Sequence, residues 1–490
     1  MPPTTPGEPL SRHPAGSTAE LLTVALPLMV SAGSHAVMIF FDRLFLAKLS
    51  ADSFAAAMPA GLLNWTLMAL PLGLVGYAST FVAQYHGAGR PDRVKHSVWQ
   101  ALMIAIVAGV LMIAMQPVWT LLTQSFGHSE NVLREELIYG ATLLWLCPLR
   151  MSCAALGGYF SGRGKTGVVM ASGVVGSVVN LGLPPLLIFG YAIIPAGGIR
   201  GAALATVIAT AAELAVLVAF AVGEVRPGIP TWRQTFGVDG ELLRRLTLFG
   251  LPQGMQLLAD LSSFMVVVVL VGRLGDAALQ ATNLAFQLNS LAFIPLIGLG
   301  HAVSAVVGHR IGEGRADRAD RSVWQAAAIG TAWISLFCLL FLVAPNVALR
   351  PIAWFAGDNI ESFRDEAVVL LRFIIVYSVF DVGAVVFGSA IRGAGDTRFS
   401  LLLTLAVNWL LMAIPLAVLA YSGRNTLMIS WSLITVTIGA QGVGFLLRFL
   451  YGPWRTMSVL DESPVLPDLA GAVDEAADES PPQPVADAAV

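Results

Sequence analysis

Twelve apolar stretches, each long enough to cross a bilayer, leave this chain few ways to fold. They lie near residues 21–49, 56–84, 97–122, 137–160, 168–193, 198–223, 247–274, 281–309, 323–345, 366–391, 400–421 and 428–451. A bilayer core takes about 20 residues of helix. Inside it every backbone N–H and C=O must be paired within the protein, which a helix achieves turn by turn. The reading is therefore an all-α membrane protein. Composition agrees: 56% of residues are hydrophobic and 12% charged, against about 25% charged in a soluble domain. Cys147, Cys153 and Cys338 fall in apolar runs, as small core residues do, and imply no disulfide framework or metal site. The opening MPPTTPGEPLSRHPAGST is proline-rich and lacks an apolar core, so the first stretch is expected to direct insertion itself.

One stretch occurs twice. Ser79 to Ala101 and Ser304 to Ala326 align without a gap at an offset of 225, with twelve identities in twenty-three positions, including Gly87, Gly89, Arg90 and the run Ser97 to Ala101. In each copy an apolar helix ends at a Gly-rich basic loop and another follows. The same offset carries Leu26-Pro27 onto Leu251-Pro252 and Asn64 onto Asn289. An offset of 231 carries Gly162-x-Gly164-x-Thr166 onto Gly393-x-Gly395-x-Thr397, and Pro184 onto Pro415. Register kept through polar loops marks an internal duplication. Six helices per half, an even number, make the halves parallel, pseudo-symmetric lobes about an axis along the membrane normal. The expected organisation is a disordered tail over 1–19, a first lobe over 20–223, a linker over 224–246, a second lobe over 247–452 and an acidic disordered tail over 453–490.

Loops after even-numbered stretches carry fifteen Lys and Arg residues, among them Arg90, Arg93, Arg163, Arg315 and Arg392. Loops after odd-numbered stretches carry seven. Basic residues are retained on the cytoplasmic side. Both termini are therefore expected there, in a multi-pass protein of the inner (plasma) membrane. Topology accounts for these basic loops, and no nucleic-acid partner is expected.

A charge at the bilayer centre costs about 2.5–3.5 kcal/mol even on lenient scales, so each must face protein or a water cavity. Asp260 and Asp381 lie midway along stretches seven and ten. Asp42 lies in the outer third of the first, directly before Arg43. His35 precedes Asp42 by seven residues on the same helical face. Arg150 and Glu213 are also mid-span. Asp42 has Arg43 and Arg150 as obvious charge partners, whereas the second half offers no Lys or Arg at mid-membrane depth. The repeat relates His35 to Asp260 and Arg150 to Asp381. A carboxylate in such a cavity is relieved by a proton, by Na⁺ or by an organic cation. Three ligands competing for one site is what antiport requires. His35, Arg43, Asn180, Gln256, Gln287, Asn289 and Tyr377 are candidates to line the same cavity.

With two six-helix halves and these residues in view, the chain resembles the multidrug and toxic compound extrusion (MATE) family over roughly 20–452, and within it the NorM-like branch. FFDRLFLAKLS resembles the family's acidic first-helix motif and places its aspartate at Asp42. GLPQGMQLLADLSSF and VFDVGAVVFGSAIRGAGDT resemble the patterns of helices seven and ten, with their acids at Asp260 and Asp381. VVNLGLPPLLIFG resembles an Asn-rich motif, with Asn180 as its first Asn and Pro184 where a second Asn is usual. Arg43 stands where a small polar residue is expected. The resemblance implies export of amphipathic, cationic small organic compounds by alternating access, driven by inward Na⁺ or H⁺. Asp260, Asp381 and Asp42 would couple the ion, with Na⁺ assigned to Asp260 and Asp381. It implies no cofactor, and partners limited to the substrate and the bilayer, with the chain acting as a monomer.

Rival readings fare worse. A flippase for lipid-linked sugars shares this architecture but would line its cavity with several cations for pyrophosphate; Arg43 and Arg150 are the candidates here, against several acids. An exporter of one specific metabolite is compatible with the same residues. An intramembrane aspartyl protease would need Asp381 and Asp396 to converge, yet they are fifteen residues apart and Asp396 falls in a loop. No metal-ligating His cluster or Gly-x-Ser-x-Gly elbow occurs, so the chain is not read as an enzyme.

Overall fold

A computed structural model describes residues 9–126, 128–191, 195–224, 237–349 and 364–460, and over these the chain is almost wholly helical. The first half comprises α1 (Thr18–Leu49), α2 (Ala51–Gly76), α3 (Ala78–Gly87), α4 (Pro91–Ala114), α5 (Gln116–Gln124), α6 (Glu130–Leu143), α7 (Leu146–Ser161), α8 (Thr166–Phe189) and α9 (Gly198–Gly223). The second comprises α10 (Gly240–Gly272), α11 (Asp276–Gly312), α12 (Ala316–Val343), α13 (Arg364–Ala394), α14 (Thr397–Leu405), α15 (Ile414–Tyr421) and α16 (Leu427–Tyr451). Among the described residues eleven helices are long and apolar enough to cross a membrane, and the bent pair α6–α7 makes a twelfth.

Two departures from straight helices have local causes. The 42° bend between α6 and α7 falls where Pro148 enters the first turn of α7, since proline cannot donate to the carbonyl four residues before it. Between α14 and α15 the chain widens into a π-helical segment, Ala406–Ala413, directly before Pro415. Such segments redirect side chains and recur at functional sites.

The duplication reappears as geometry. Each copy of the repeated stretch ends a helix and turns at a glycine with positive φ, Gly89 at 66° and Gly314 at 71°. The two turns then pack on one another reciprocally. A Cβ on Gly87 would lie 2.0 Å from the His309 carbonyl oxygen, and one on Gly312 would lie 2.1 Å from that of Gln84. Deeper in the bilayer, α2 packs on α10 and α1 on α11. A Cβ on Gly73 would lie 2.5 Å from Gly254 Cα, and one on Gly298 would lie 2.7 Å from Met29 Cα. In each pair the second contact is the first with every residue moved by 225. That is the signature of a two-fold, isologous interface.

Both ends of the chain correct the expected boundaries. Residues 9–17 are not a loose tail: Leu10 is buried, and its carbonyl fills the space a Cβ would need at Gly164. Ser17 caps α1 by accepting from the Glu20 amide, 3.2 Å, while Glu20 accepts from the Gly16 amide, 2.7 Å, a capping box in outline. Glu20 also pairs with Arg310 of α11, both buried. At the other end, Pro453 to Val459 is ordered because Trp454 is fully buried, stacked 4.9 Å from Phe449. The Gln84 side chain ties this segment across the seam. Its Nε2 donates to the Gly393 carbonyl, 2.9 Å, and its Oε1 accepts from the Ser458 hydroxyl and the Val459 amide, 3.0 and 2.9 Å. The seventh span begins at Gly240 rather than 247 because Asp239 caps it, accepting from the Leu242 amide at 3.0 Å and from Arg93 at 2.6 Å. Partial burial works the other way, yet these donors hold the Asp239 carboxyl below its usual range. The remainder of the expected linker and tails, at 1–8, 225–236 and 461–490, lies outside the described residues.

Gly298→Ala places a methyl group against backbone and is expected to cost about 1–3 kcal/mol, read as a lower thermal midpoint in detergent. Gly61→Ala, with nothing within 4 Å of the new Cβ, should leave the midpoint unchanged or raise it. Equal midpoints for the two variants would contradict the tight seam.

Candidate functional site

In the second half, Asp260 of α10 accepts a hydrogen bond from Asn408 Nδ2, 2.8 Å away. Asn408 reaches it from the π-helical segment. Arg392 of α13 lies within electrostatic reach of the same carboxylate. Its guanidinium folds back along the helix: Nη2 donates to Ser389 Oγ at 2.9 Å, and Nη1 would sit 3.0 Å from a Cβ on Gly388. This is the direction helical side chains favour. Arg392, expected in a cytoplasmic loop, belongs to α13, and Asp260 therefore has a cation in its own half. Asp381 lies one turn after the buried Tyr377, its electrostatic neighbour. No side chain among the described residues hydrogen-bonds to the Asp381 carboxylate, and none bridges it to Asp260.

In the first half, Asn180 of α8 faces Asp42 of α1. Asn180 Nδ2 contacts Thr206 Oγ1 of α9 at 3.4 Å. Asp42 Oδ1 and Asn180 Oδ1 are both buried without a hydrogen-bond partner. An orphaned acceptor on each of two neighbouring side chains is what a proton or a cation would satisfy. Neither expected charge partner reaches Asp42. Arg43 follows it in sequence, and adjacent helical residues do not face each other; its electrostatic neighbour is Tyr139. Arg150 is taken by Glu213, with Nη1 3.2 Å from Oε2. His35 joins that pair rather than Asp42, its Nε2 3.1 Å from Arg150 Nη1 and 3.4 Å from Glu213 Oε2.

Of the other candidates, Gln256 lies one turn before Asp260 on α10. Gln256 is buried on α10 with Oε1 unpaired. Gln287 and Asn289 are half-buried on α11. Among the described residues no three His, Cys, Asp or Glu side chains converge as they would around a metal ion. A Na⁺ ion at Asp260 or Asp381 would therefore have to complete its shell with neutral oxygens and water.

Sequence reasoning missed Asn408, Arg392 and Thr206. A signal for Asn408 was present: Ser400, Thr404 and Asn408 recur every four residues in an otherwise apolar run, and all three are buried.

The MatE family model matches residues 27–186 and 252–419, one segment in each half. Multidrug resistance protein MdtK of Edwardsiella ictaluri is 28% identical over 400 residues, 80% of this chain and 85% of its own. Multidrug resistance protein PmpM of Pseudomonas aeruginosa is 29% identical over 419 residues, covering 82% and 84%. Among solved structures, a transporter of the MOP superfamily from Pyrococcus furiosus superposes with a TM-score of 0.80 at 21% identity, over 92% of this chain and 98% of its own. The outward-facing conformation of a multidrug resistance MATE family transporter gives 0.79 at 20% identity, over 90% and 96%.

The Asn408–Asp260 bond is testable by a double-mutant cycle. Asn408→Ala alone is expected to lower stability by about 1.5–3 kcal/mol, the range for a hydrogen bond to a charged group. In an Asp260→Ala background the same change should cost almost nothing. Equal costs in both backgrounds would mean that the two side chains do not interact.

Proposed function

Because the chain belongs to the MatE family, the multidrug and toxic compound extrusion transporters, we propose that it is a cation-coupled antiporter. It exports amphipathic, cationic organic compounds by alternating access, against inward Na⁺ or H⁺. The chain is a transporter and not an enzyme.

The observation that carries the finer reading is how the structure sorts the acids within the spans. Glu20, Glu136 and Glu213 each have a basic partner: Arg310, His128 and Arg150. Asp42, Asp260 and Asp381 form no ion pair among the described residues. Asp42 and Asp381 are left at this depth without a fixed counter-charge, and Asp260 has Arg392 only at electrostatic range; such carboxylates are the ones that an exchangeable cation can serve. Asp260 and Asp381 form the coupling pair of the second half in this reading. Asp42, with Asn180 and Thr206, forms that of the first. A flippase for a lipid-linked pyrophosphate is less well supported, since of its two candidate cations Arg150 is engaged by Glu213, which leaves Arg43.

The loops that meet at the seam are the basic ones, Arg90 to Arg93 and Arg315 to Arg318, which supports a cytoplasmic location for that face. The packed turns then represent the state closed to the cytoplasm. Transport requires them to separate. The protein functions in the inner membrane as a single chain with both termini cytoplasmic.

Asp381→Asn is expected to abolish ion-driven efflux of a fluorescent organic cation from liposomes while folded yield stays near normal; undiminished efflux would remove Asp381 from the mechanism. Substrate affinity should fall as the pH drops, because protonated carboxylates lose their attraction for a cation. Equilibrium binding to the purified protein checks this, and an affinity independent of pH would point to a neutral or anionic substrate.

A further inference from the structure

His35, Arg150 and Glu213 form a cluster where the second half keeps its carboxylates. The 225 offset carries His35 onto Asp260, and the 231 offset carries Arg150 onto Asp381. The hydrogen bonds place the imidazole between partners that suit different protonation states. Nδ1 lies 2.9 Å from the Ser31 carbonyl oxygen, which can only accept, so Nδ1 carries a proton. Nε2 lies 3.1 Å from Arg150 Nη1, which can only donate and so suits an unprotonated Nε2, and 3.4 Å from Glu213 Oε2, which can only accept and so suits a protonated one. Glu213 Oε2 already receives Arg150 Nη1 at 3.2 Å. The side chains of His35, Arg150 and Glu213 are 18%, 25% and 11% exposed, so none of the three is sealed inside the protein.

The facing helix makes room for this cluster. On α8, a Cβ at Gly173 would lie 2.4 Å from Ser31 Oγ and 3.4 Å from His35 Cε1, and one at Gly176 would lie 3.2 Å from Glu213 Cβ. The charged and titratable groups around His35 are Arg150 and Cys153 on α7 and Glu213 on α9, with Asp42 two turns along α1. From α2, α8, α11 and α12, the other helices packed against α1, no charged group among the described residues comes within hydrogen-bond distance of the ring.

We infer that His35 carries a proton at Nε2 during the transport cycle, with Arg150 and Glu213 as its positioning partners. The inference rests on the antiport reading. Protonation turns Nε2 from acceptor into donor. Two donors would then face each other at the His35–Arg150 contact, so Arg150 withdraws and Nε2–H turns to Glu213 Oε2. The proton is taken from water on one side of the membrane and returned to water on the other, and the only bond made and broken is N–H. The neutral ring ties α1 to α7 through Arg150, and the charged ring ties it to α9 through Glu213. His35 and Asp42 share one face of α1, so the proton load on His35 changes how the helix that bears Asp42 is braced.

The test uses the full chain. Efflux of a fluorescent organic cation from liposomes is measured between about pH 5 and 8, the range in which histidines change charge, for wild type and His35→Gln. The Gln carbonyl still accepts from Arg150 but does not titrate. Both proteins should share the decline that carboxylate protonation causes, but the His35→Gln profile should lose the step that the imidazole adds and depart from wild type by more than about twofold within this range, at an unchanged thermal midpoint. A second readout needs no transport. Nitrogen NMR of histidine-labelled protein, assigned with His35→Gln or, should that fail to fold, His35→Asn, should show the Nδ1–H tautomer at high pH gaining a proton at Nε2 within this range. A ring that stays neutral throughout, or a His35→Gln profile identical to wild type, overturns the inference. If wild type moves the cation under neither an H⁺ nor a Na⁺ gradient, the antiport reading itself fails and this inference with it; if wild type responds and the variant keeps its profile, only the inference falls.

Discussion

The molecule depends on a seam where backbone meets backbone. In a bilayer, apolar side chains gain little by leaving lipid for protein, so helices associate through close packing at small residues. Gly73 and Gly298 allow α2 to approach α10 and α1 to approach α11, and Gly87 and Gly312 do the same for the two turns. Each contact has its mate across the two-fold relation, so a change in one half is felt at the equivalent place in the other. The buried Glu20–Arg310 pair and the two-sided bonding of Gln84 lie along the same seam. Opening that face therefore means parting several contacts together. This suits a two-state element better than a gradual one.

The seam also governs where charge can reside. Fold symmetry gives both halves equivalent positions, but the side chains placed there differ. The second half has Asp260 and Asp381, and the first has His35 and Arg150 with Glu213 as counter-charge. One architecture thus holds two carboxylates in one half and an ion-paired cluster in the other. Asp42 and Asn180, each with an unpaired oxygen, lie in the first half, Asp42 two turns along α1 from the symmetry position.

What the sequence left illegible follows a pattern. Asp42, Asp260, Asp381 and Asn180 were found because a polar group in an apolar run is costly and so conspicuous. Arg392 was misplaced because its Cα lies near the end of a span, and only the fold shows its guanidinium turning back toward Ser389. Asn408 needed the π-helical segment to aim it at Asp260. Leu10 to Ser17 and Pro453 to Val459 looked like tails by composition. They are ordered by the stacking of Trp454 on Phe449 and by Glu20 and Gln84, which reach Arg310 and Val459, hundreds of residues away.

By itself, the sequence determined the all-helical membrane fold, the two six-helix halves and the identity of the charges buried within them. Bilayer thickness and the cost of unpaired backbone act on local composition, and the duplication is written in register. Only the tertiary structure decided which buried charges are neutralised and which are left open. That depends on the side-chain directions and packing distances of helices far apart in the chain: Arg150 with Glu213 rather than Asp42, and Asn408 rather than a second carboxylate on Asp260.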